Sequence, residues 1–250
     1  MDLIIPAWPD LPVNVGALST MRRGGISLAP FDDGHGANGL NLGMHVTDCQ
    51  SHVYENRNLL RTVLPAEPAW LTQVHGTAIV DAAGLSDATE ADASFSTAKG
   101  VVCAIMTADC LPVLFCDRIG NVVAAAHAGW RGLSAGILEK TVISMRAAGA
   151  GEIMAWLGPA IGPEYFEVGE DVRQAFVAHD ASASGAFKPI AAQGGKYLAD
   201  IYALARARLR QAGVYSISGG GFCTVTDTQR FFSYRRDKVT GRMASLIWLK

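Results

Sequence analysis

The chain has 250 residues, of which 50% are hydrophobic and 18% are charged, and its formal net charge is -2 at pH 7. This length is enough for one domain with a full core or for two small ones. We expect no nucleic-acid partner, because no basic stripe is present. We also expect no membrane partner, since the apolar runs fall short of the roughly 20 residues that span a bilayer. The first residues lack a signal-peptide pattern, so we expect a cytoplasmic protein.

The five cysteines, at positions 49, 103, 110, 116 and 223, do not form a disulfide framework. Their number is odd, their spacing is irregular, and no C-x-x-C pair occurs. Each is therefore interpreted as a small buried hydrophobic residue or as a reactive or metal-binding thiol.

The first part of the chain is predicted to hold loops followed by a helix. Residues 23–43 are rich in Gly, Asp and Asn, which favours loops, whereas 49–64 has its apolar residues on one helical face. Pro65 then ends the helix. The middle of the chain predicts strands at 78–80, 101–106, 111–116 and 122–126, with a turn at 117–121.

Helices and strands alternate in the remainder. Helices are predicted at 133–148, 169–178 and 197–212, and strands at 153–157, 222–225 and 243–249. The Ala-, Ser- and Gly-rich stretch 181–195 is interpreted as a surface loop within a domain, because core-like segments flank it. The low charge content favours stacked sheets with helices outside, which is an α/β architecture.

Three potential metal ligands occur beside strands and near Gly or Asp. His75 precedes a short strand, Cys110 follows a buried strand, and His127 ends another. Structural zinc sites usually take four ligands in close pairs, whereas these three come from separate elements and leave a fourth position open. That arrangement is typical of a catalytic zinc.

The same residues allow other interpretations. Each of the three alone is compatible with a packed side chain. Cys110 could be a nucleophile with His127 as its base, while Asp109 orients a ring. A His2Cys set also occurs in blue-copper sites, although the six histidines include no His-x-His pair to seed a multinuclear copper cluster.

Several longer motifs resemble a known family in its own order. They lie at residues 20–27, 41–46, 71–76, 107–112, 126–132, 157–162, 223–224 and 232–237. The His-Ala-Gly-Trp-Arg-Gly segment at 127–132 is the most specific. Together they resemble the YfiH family, also described as multicopper polyphenol oxidase (laccase-like), peptidoglycan editing factor, or laccase-domain purine nucleoside phosphorylase.

The resemblance implies one domain over residues 1–250, a layered α/β sandwich similar to that of the cytotoxic necrotizing factor toxins. It implies zinc on His75, Cys110 and His127. The implied activity is phosphorolysis of adenosine, inosine, guanosine and methylthioadenosine, with adenosine deamination in addition. Older descriptions of the family imply copper-dependent phenol oxidation. Another branch implies a cysteine-dependent amidase that edits peptidoglycan precursors.

A purine nucleoside and phosphate are therefore the expected small-molecule partners. Arginine forks match phosphate oxygens, which makes Arg22, Arg131 and Arg235 candidates for binding phosphate. Asn41 and Gln73 are candidates for hydrogen bonds to base or ribose. Cys110, His127, Arg22 and Asp109 form the expected catalytic set. The motifs of known zinc nucleobase deaminases are absent, so a deaminase activity here would have a separate origin.

Overall fold

The computed structural model describes residues 1–85, 89–191 and 193–250, and its elements form three sheets flanked by helices. The strands are β1 (Leu3–Ile4), β2 (Val15–Thr20), β3 (Arg23–Ser27), β4 (Pro68–Ala69), β5 (Ile79–Asp81), β6 (Ala93–Ser96), β7 (Val102–Thr107), β8 (Leu111–Asp117), β9 (Val123–Ala128), β10 (Ile153–Leu157), β11 (Glu167–Gly169), β12 (Phe187–Pro189), β13 (Lys196–Ala199), β14 (Ser216–Gly219) and β15 (Met243–Leu249). The helices are α1 (Gln50–Arg61), α2 (Trp130–Ser134), α3 (Ile137–Ala147), α4 (Glu170–Val177), α5 (Ile201–Gln211) and α6 (Tyr234–Asp237), with a 3-10 helix at Ala181–Ala186.

Two large sheets stack face to face. The first has the strand order β1-β2-β15-β7-β4, and the second has the order β14-β10-β8-β9-β6-β5. A small third sheet, β11-β13-β12, lies beside the helices of the second sheet and adds Phe187 to the same core cluster. The layered α/β fold expected from the sequence is confirmed.

Alternating side chains of each strand supply two different cores. On β7, Cys103 and Ile105 pack between the sheets, whereas Ala104 and Met106 pack on the side of α1. On β8, Val113 and Phe115 instead face a core shared with α3 and α5. Successive side chains of a strand point to opposite faces, so strands covered on both faces read as continuous apolar runs.

Most predicted elements are confirmed, with shifts at their ends. The helix predicted at 133–148 is two helices, because Gly136 adopts a φ of 93° between α2 and α3. The helix predicted at 197–212 begins only at Ile201, where the Asp200 side chain accepts a hydrogen bond from the Ala203 N–H. Residues 196–199 are strand β13 instead.

Three other predictions need correction. Residues 222–225 form a loop instead of a strand, and residues 23–27, predicted as loop, form β3. The loop predicted at 181–195 contains a 3-10 helix and β12, and its residue 192 lies outside the described residues. None of the helices in the described part of the chain is long and apolar enough to cross a bilayer.

One buried amide on α1 fixes the loops that border the first sheet. The Asn56 side chain is fully buried, and its Oδ1 accepts a hydrogen bond from the Ile26 N–H at 2.8 Å. Its Nδ2 donates to the Ser27 Oγ and to the Asn41 carbonyl oxygen, both at 2.9 Å. The amide therefore ties α1 to β3 and to the segment that follows β3.

We predict that Asn56→Ala destabilises the protein by about 2–4 kcal/mol, since it leaves several buried polar groups without partners. Urea unfolding followed by circular dichroism measures the change. Asn58→Ala, an exposed amide on the same helix, is the matched control and should stay within about 0.5 kcal/mol of wild type. Equal losses in the two variants would contradict the assigned role.

Candidate metal centre

Strand pairing brings distant residues together at one end of the six-stranded sheet. In the β8–β9 pair, Leu111 lies opposite Ala128 and Pro112 opposite His127. Cys110 directly precedes β8, so the register places it beside the end of β9. On the other side of β9, β6 begins at Ala93, and the Asp92 carbonyl oxygen accepts the His127 N–H at 2.7 Å.

The three predicted ligands converge at this end. One ligand atom from each of His75, Cys110 and His127 lies within 4.8 Å of the others. The Cys110 Sγ is 3.9 Å from the His75 Nε2. Tetrahedral zinc with ordinary bond lengths holds such an S···N pair about 3.6 Å apart, so these two donor atoms lie within a few tenths of an ångström of that separation.

A glycine leaves room beside these atoms. A Cβ on Gly129 would lie 2.9 Å from the His75 Cδ2 and 3.2 Å from the Cys110 Sγ. It would also lie 3.6 Å from the His127 Nε2. Any side chain at this position would fill the space between the donors. The donor types, their spacing and this space fit one metal ion.

Asp92 orients two of the three candidate ligands through hydrogen bonds. Its Oδ1 lies 2.8 Å from the His127 Nδ1, which directs the Nε2 of that ring toward the other donors. The same carboxylate accepts the backbone N–H groups of His75 at 3.0 Å and of Gly76 at 2.6 Å. Burial raises the pKa of Asp92, but the hydrogen bonds from His127 and Gly76 outweigh it and keep that pKa below its usual value.

His75 is held in a sparsely populated backbone conformation. Its φ is 60°, a left-handed value that costs a non-glycine residue of order 1–2 kcal/mol. Besides the contact with Asp92, Gln73 fixes this segment. The Gln73 Nε2 donates to the Met106 carbonyl oxygen, and its Oε1 accepts the Met106 N–H, both at 2.8 Å. Gln73 therefore fastens the His75 loop to the end of β7.

Asp109 shapes the corner where the chain passes from the first sheet to the second. Its φ is 92°, and its carboxylate accepts hydrogen bonds from the Thr224 hydroxyl at 2.5 Å and the Arg235 N–H at 2.6 Å. The carboxylate is thus occupied by Thr224, which lies in a loop, and by the first turn of α6. Its position supports the backbone that presents Cys110.

The metal-free ligands form a thiolate and an imidazolium. Burial raises the pKa of Cys110, but the neighbouring His127 and His75 outweigh it and lower that pKa to about 6. Burial lowers the pKa of His127, but the charge of Cys110 and the hydrogen bond to Asp92 outweigh it and raise that pKa to about 9. A pre-formed thiolate is the form of cysteine that binds metals.

The ligands open onto a cleft with a volume of about 1070 Å³. Its walls include His45, Arg57, Trp70 and Arg242 in addition to Gln73. His75 is exposed to the cleft, whereas His127 is only 3% exposed. A ligand in the cleft can therefore reach the metal position from one side only.

Four other residues that were predicted to bind substrate are absent from the described lining of this cleft. They are Arg22, Arg131, Arg235 and Asn41. Arg22 is buried, and its guanidinium donates to the Asp32 and Thr228 carbonyl oxygens. Arg131 is exposed and stacks on its neighbour Trp130.

The other two predicted substrate residues, Arg235 and Asn41, form hydrogen bonds that hold neighbouring segments in place. The Arg235 guanidinium donates to the carbonyl oxygens of Tyr165 and Glu167. The Asn41 amide bonds within its own segment and accepts the Arg242 N–H at 2.9 Å. Their roles toward substrate stay predictions, with Gln73 the one predicted substrate residue found on the cleft wall.

Sequence reasoning missed Asp92, Arg57 and Arg242. Asp92 directly precedes a strand, as Cys110 does, so an acidic residue at a strand boundary was an available signal. Arg57 lies on a helix and Arg242 precedes the last strand, and neither position has a local pattern that reveals the cleft.

Comparison with known proteins agrees with these motifs. A family model described as multi-copper polyphenol oxidoreductase laccase matches residues 16–250. The Escherichia coli (strain K12) protein named purine nucleoside phosphorylase YfiH is 57% identical over 250 residues, which are 99% of this chain and 98% of that protein. Purine nucleoside phosphorylase PA4543 of Pseudomonas aeruginosa is 56% identical over 247 residues, with the same coverage of 99% and 98%.

A solved structure matches the whole fold. The crystal structure of Neisseria meningitidis protein NMB0706 superposes with a TM-score of 0.92 at 47% identity, and the match covers 100% of both chains. The family expected from the sequence motifs is therefore confirmed. The chain belongs to the laccase-like family that contains the YfiH proteins.

Proposed function

We propose that this chain is a zinc-dependent purine nucleoside phosphorylase that acts as a single domain over residues 1–250. The observation that carries the proposal is the open set of His75, Cys110 and His127 on the floor of a cleft of about 1070 Å³. Such a volume suits a drug-sized or nucleoside-sized ligand. The names of the Escherichia coli and Pseudomonas aeruginosa relatives support the same activity.

Zinc is the proposed metal. Two nitrogens and one sulfur with an open fourth position are a ligand set of catalytic zinc. The described residues contain one group of three potential His, Cys, Asp or Glu ligands, whereas a multinuclear copper cluster requires more. When bound, zinc supplies a Lewis acid beside the departing purine or beside the amino group that deamination removes.

The side chains of the cleft position the nucleoside and the phosphate for the reaction. Phosphorolysis joins a phosphate oxygen to the anomeric carbon of the ribose and breaks the bond from that carbon to the purine nitrogen. Tyr54 and Tyr234 line the cleft and are 59% and 53% exposed, so their rings are available to stack on a purine. Holding both reactants in one orientation lowers the barrier by making the reaction effectively intramolecular.

The proposed substrates are adenosine, inosine, guanosine and methylthioadenosine, with adenosine deamination as a further activity. Stacking on the exposed tyrosines uses the flat ring that all purines share, so it tolerates different purine substituents. Purine nucleoside and phosphate are thus the proposed partners.

A second candidate is a cysteine-dependent amidase, and one specific geometry favours it. Asp92 is hydrogen-bonded to the His127 ring, and His127 lies close to the Cys110 Sγ. An orienting carboxylate, a base and a thiol in this order resemble the arrangement of cysteine hydrolases. This candidate requires activity in the metal-free protein and no use of phosphate.

We predict that the purified protein contains about one zinc per chain and releases free base from adenosine or inosine only with phosphate. Cys110→Ala should lower this activity about 100-fold or more. Loss of a residue that only orients a metal ligand costs about 10- to 100-fold, and loss of the ligand itself should cost more. Elemental analysis and chromatography of the products measure both. Cys49→Ala, which alters an exposed cysteine outside the cleft, is the matched control.

Full activity in Cys110→Ala would contradict the mechanism. Metal-free activity on an amide would instead select the amidase. Copper in the purified protein together with phenol oxidation would select the copper oxidase.

A further prediction concerns thiol reactivity in the metal-free protein. Iodoacetamide should label Cys110 at pH 7 and much more slowly at pH 5, because its thiolate form is lost as the pH falls through about 6. Cys103 and Cys116 should stay unlabelled, since burial raises the pKa of each to about 12. Peptide mass spectrometry resolves the five cysteines. Zinc should protect Cys110 without protecting Cys49, and equal protection of both would contradict the ligand assignment.

A further inference from the structure

Two arginines of the cleft are carried by one short platform, residues 41–43. The Asn41 Oδ1 accepts the Arg242 N–H, and the Leu42 N–H donates to the Arg242 carbonyl oxygen at 3.1 Å. The Leu42 carbonyl oxygen accepts the Arg57 Nε–H at 3.0 Å. A Cβ on Gly43 would come within 2.8 Å of the Arg242 Cγ, so the stem of Arg242 rests where only glycine leaves space.

In the described residues, the Arg242 guanidinium forms hydrogen bonds through its Nη1 group only. Its Nη1 donates to the carbonyl oxygens of Thr240 and Gly241, at 2.9 and 3.0 Å. Within the described residues, no hydrogen bond from its Nε or Nη2 is formed. These two groups lie on the same edge of the guanidinium fork, and that edge is the one that binds carboxylates and phosphates in pairs.

Arg242 also lacks a carboxylate partner. None of the ion pairs among the residues that the structure describes includes it. Burial lowers the pKa of Arg242, and the nearby Cys110 and Asp109 act in the opposite direction. A partly buried cation with no anion in direct contact is costly, and a bound anion would lower that cost.

Positive charge accumulates on the same wall. Arg57 lines the cleft and stacks on the Trp70 ring at 4.1 Å, which fixes the plane of its guanidinium. His45 lines the cleft as well, and its pKa is lowered by partial burial and by the charges of Arg242 and Arg57. The acidic residue of the wall, Glu67, accepts a hydrogen bond from the Trp70 indole at 2.7 Å.

We propose that Arg242 and Arg57, with His45 beside them, form an oxyanion subsite that binds inorganic phosphate in the same cleft as the metal ligands. The identity of the anion as co-substrate rests on the proposed phosphorolysis, whereas the subsite itself rests on the geometry of the wall. Two guanidinium groups fixed on one platform suit a tetrahedral oxyanion, which offers several oxygens at once. In this arrangement, Asn41 holds the backbone of Arg242 in place through the hydrogen bond to its N–H.

The subsite is tested by titrating inorganic phosphate alone into the zinc-loaded and the metal-free protein, at constant ionic strength set with chloride. We expect Arg242→Gln to weaken phosphate binding about 10- to 100-fold in both forms, since it removes charge-assisted hydrogen bonds. Arg242→Lys should recover only part of the affinity, because an ammonium lacks the fork. Arg210→Gln, an exposed arginine on α5, is the matched control and should bind as wild type does.

Steady-state kinetics separate this subsite from the proposed function. We expect Arg242→Gln to raise KM for phosphate by a similar factor and to leave KM for the nucleoside nearly unchanged. Phosphate-dependent base release with an unaltered phosphate KM in this variant would overturn the subsite and leave the function standing. Phosphate binding that depends on Arg242, without any effect of phosphate on base release, would support the subsite and reject phosphorolysis.

A measurement on the wild-type protein avoids any folding defect of the variants. Phenylglyoxal modifies accessible arginines, and mass spectrometry reports the extent at Arg242 and Arg210 separately. Saturating phosphate should slow modification of Arg242 and leave Arg210 unaffected. Equal rates at Arg242 with and without phosphate would overturn the proposal.

Discussion

The Asp92 carboxylate is the interaction on which the site depends. It binds the ring of His127 through Nδ1 and the backbone that carries His75 through three N–H groups. One side chain therefore sets the direction of one ligand and the position of another. It is fully buried, so its hydrogen bonds act with little screening by water, and removal of the charge would leave several donors without an acceptor.

The strand order of the fold brings the residues of the site together. The order of strands β8, β9 and β6 brings Cys110, His127 and Asp92 to one end of a single sheet. Asp109 holds the corner between the two sheets, and it does so through Thr224 and the backbone of Arg235, which come from the last part of the chain. The C-terminal motifs thus act on the metal centre through the corner that presents Cys110.

Sequence reasoning predicts most of this fold, because the buried strands are continuous apolar runs with clear turns between them. It also predicts the three candidate ligands that the structure brings together, because each is a donor residue at or beside a strand boundary. Asp92 has the same kind of position, and that position is a weak signal, since acidic residues before strands are also common on the surface. Its role becomes visible only when β6 is paired with β9.

For the arginines, the sequence motifs are clear but do not identify which side chains reach the cleft. Arg22, Arg131 and Arg235 lie in the most recognisable motifs, yet their guanidinium groups contact carbonyl oxygens or a neighbouring ring. Arg57 and Arg242 are brought to the cleft by hydrogen bonds to residues 41–43, which are distant from Arg242 in sequence. A motif locates the segment that matters, but the direction of a long side chain depends on tertiary contacts.

A zinc competition titration of wild type and Asp92→Asn measures whether Asp92 orients the three candidate ligands for the proposed zinc. The asparagine keeps the shape of the side chain but removes its charge and one acceptor oxygen. We predict a zinc affinity about 10- to 100-fold lower in the variant, as expected for loss of a residue that orients metal ligands. An unchanged zinc affinity in a correctly folded Asp92→Asn protein would show that Asp92 does not orient the ligands.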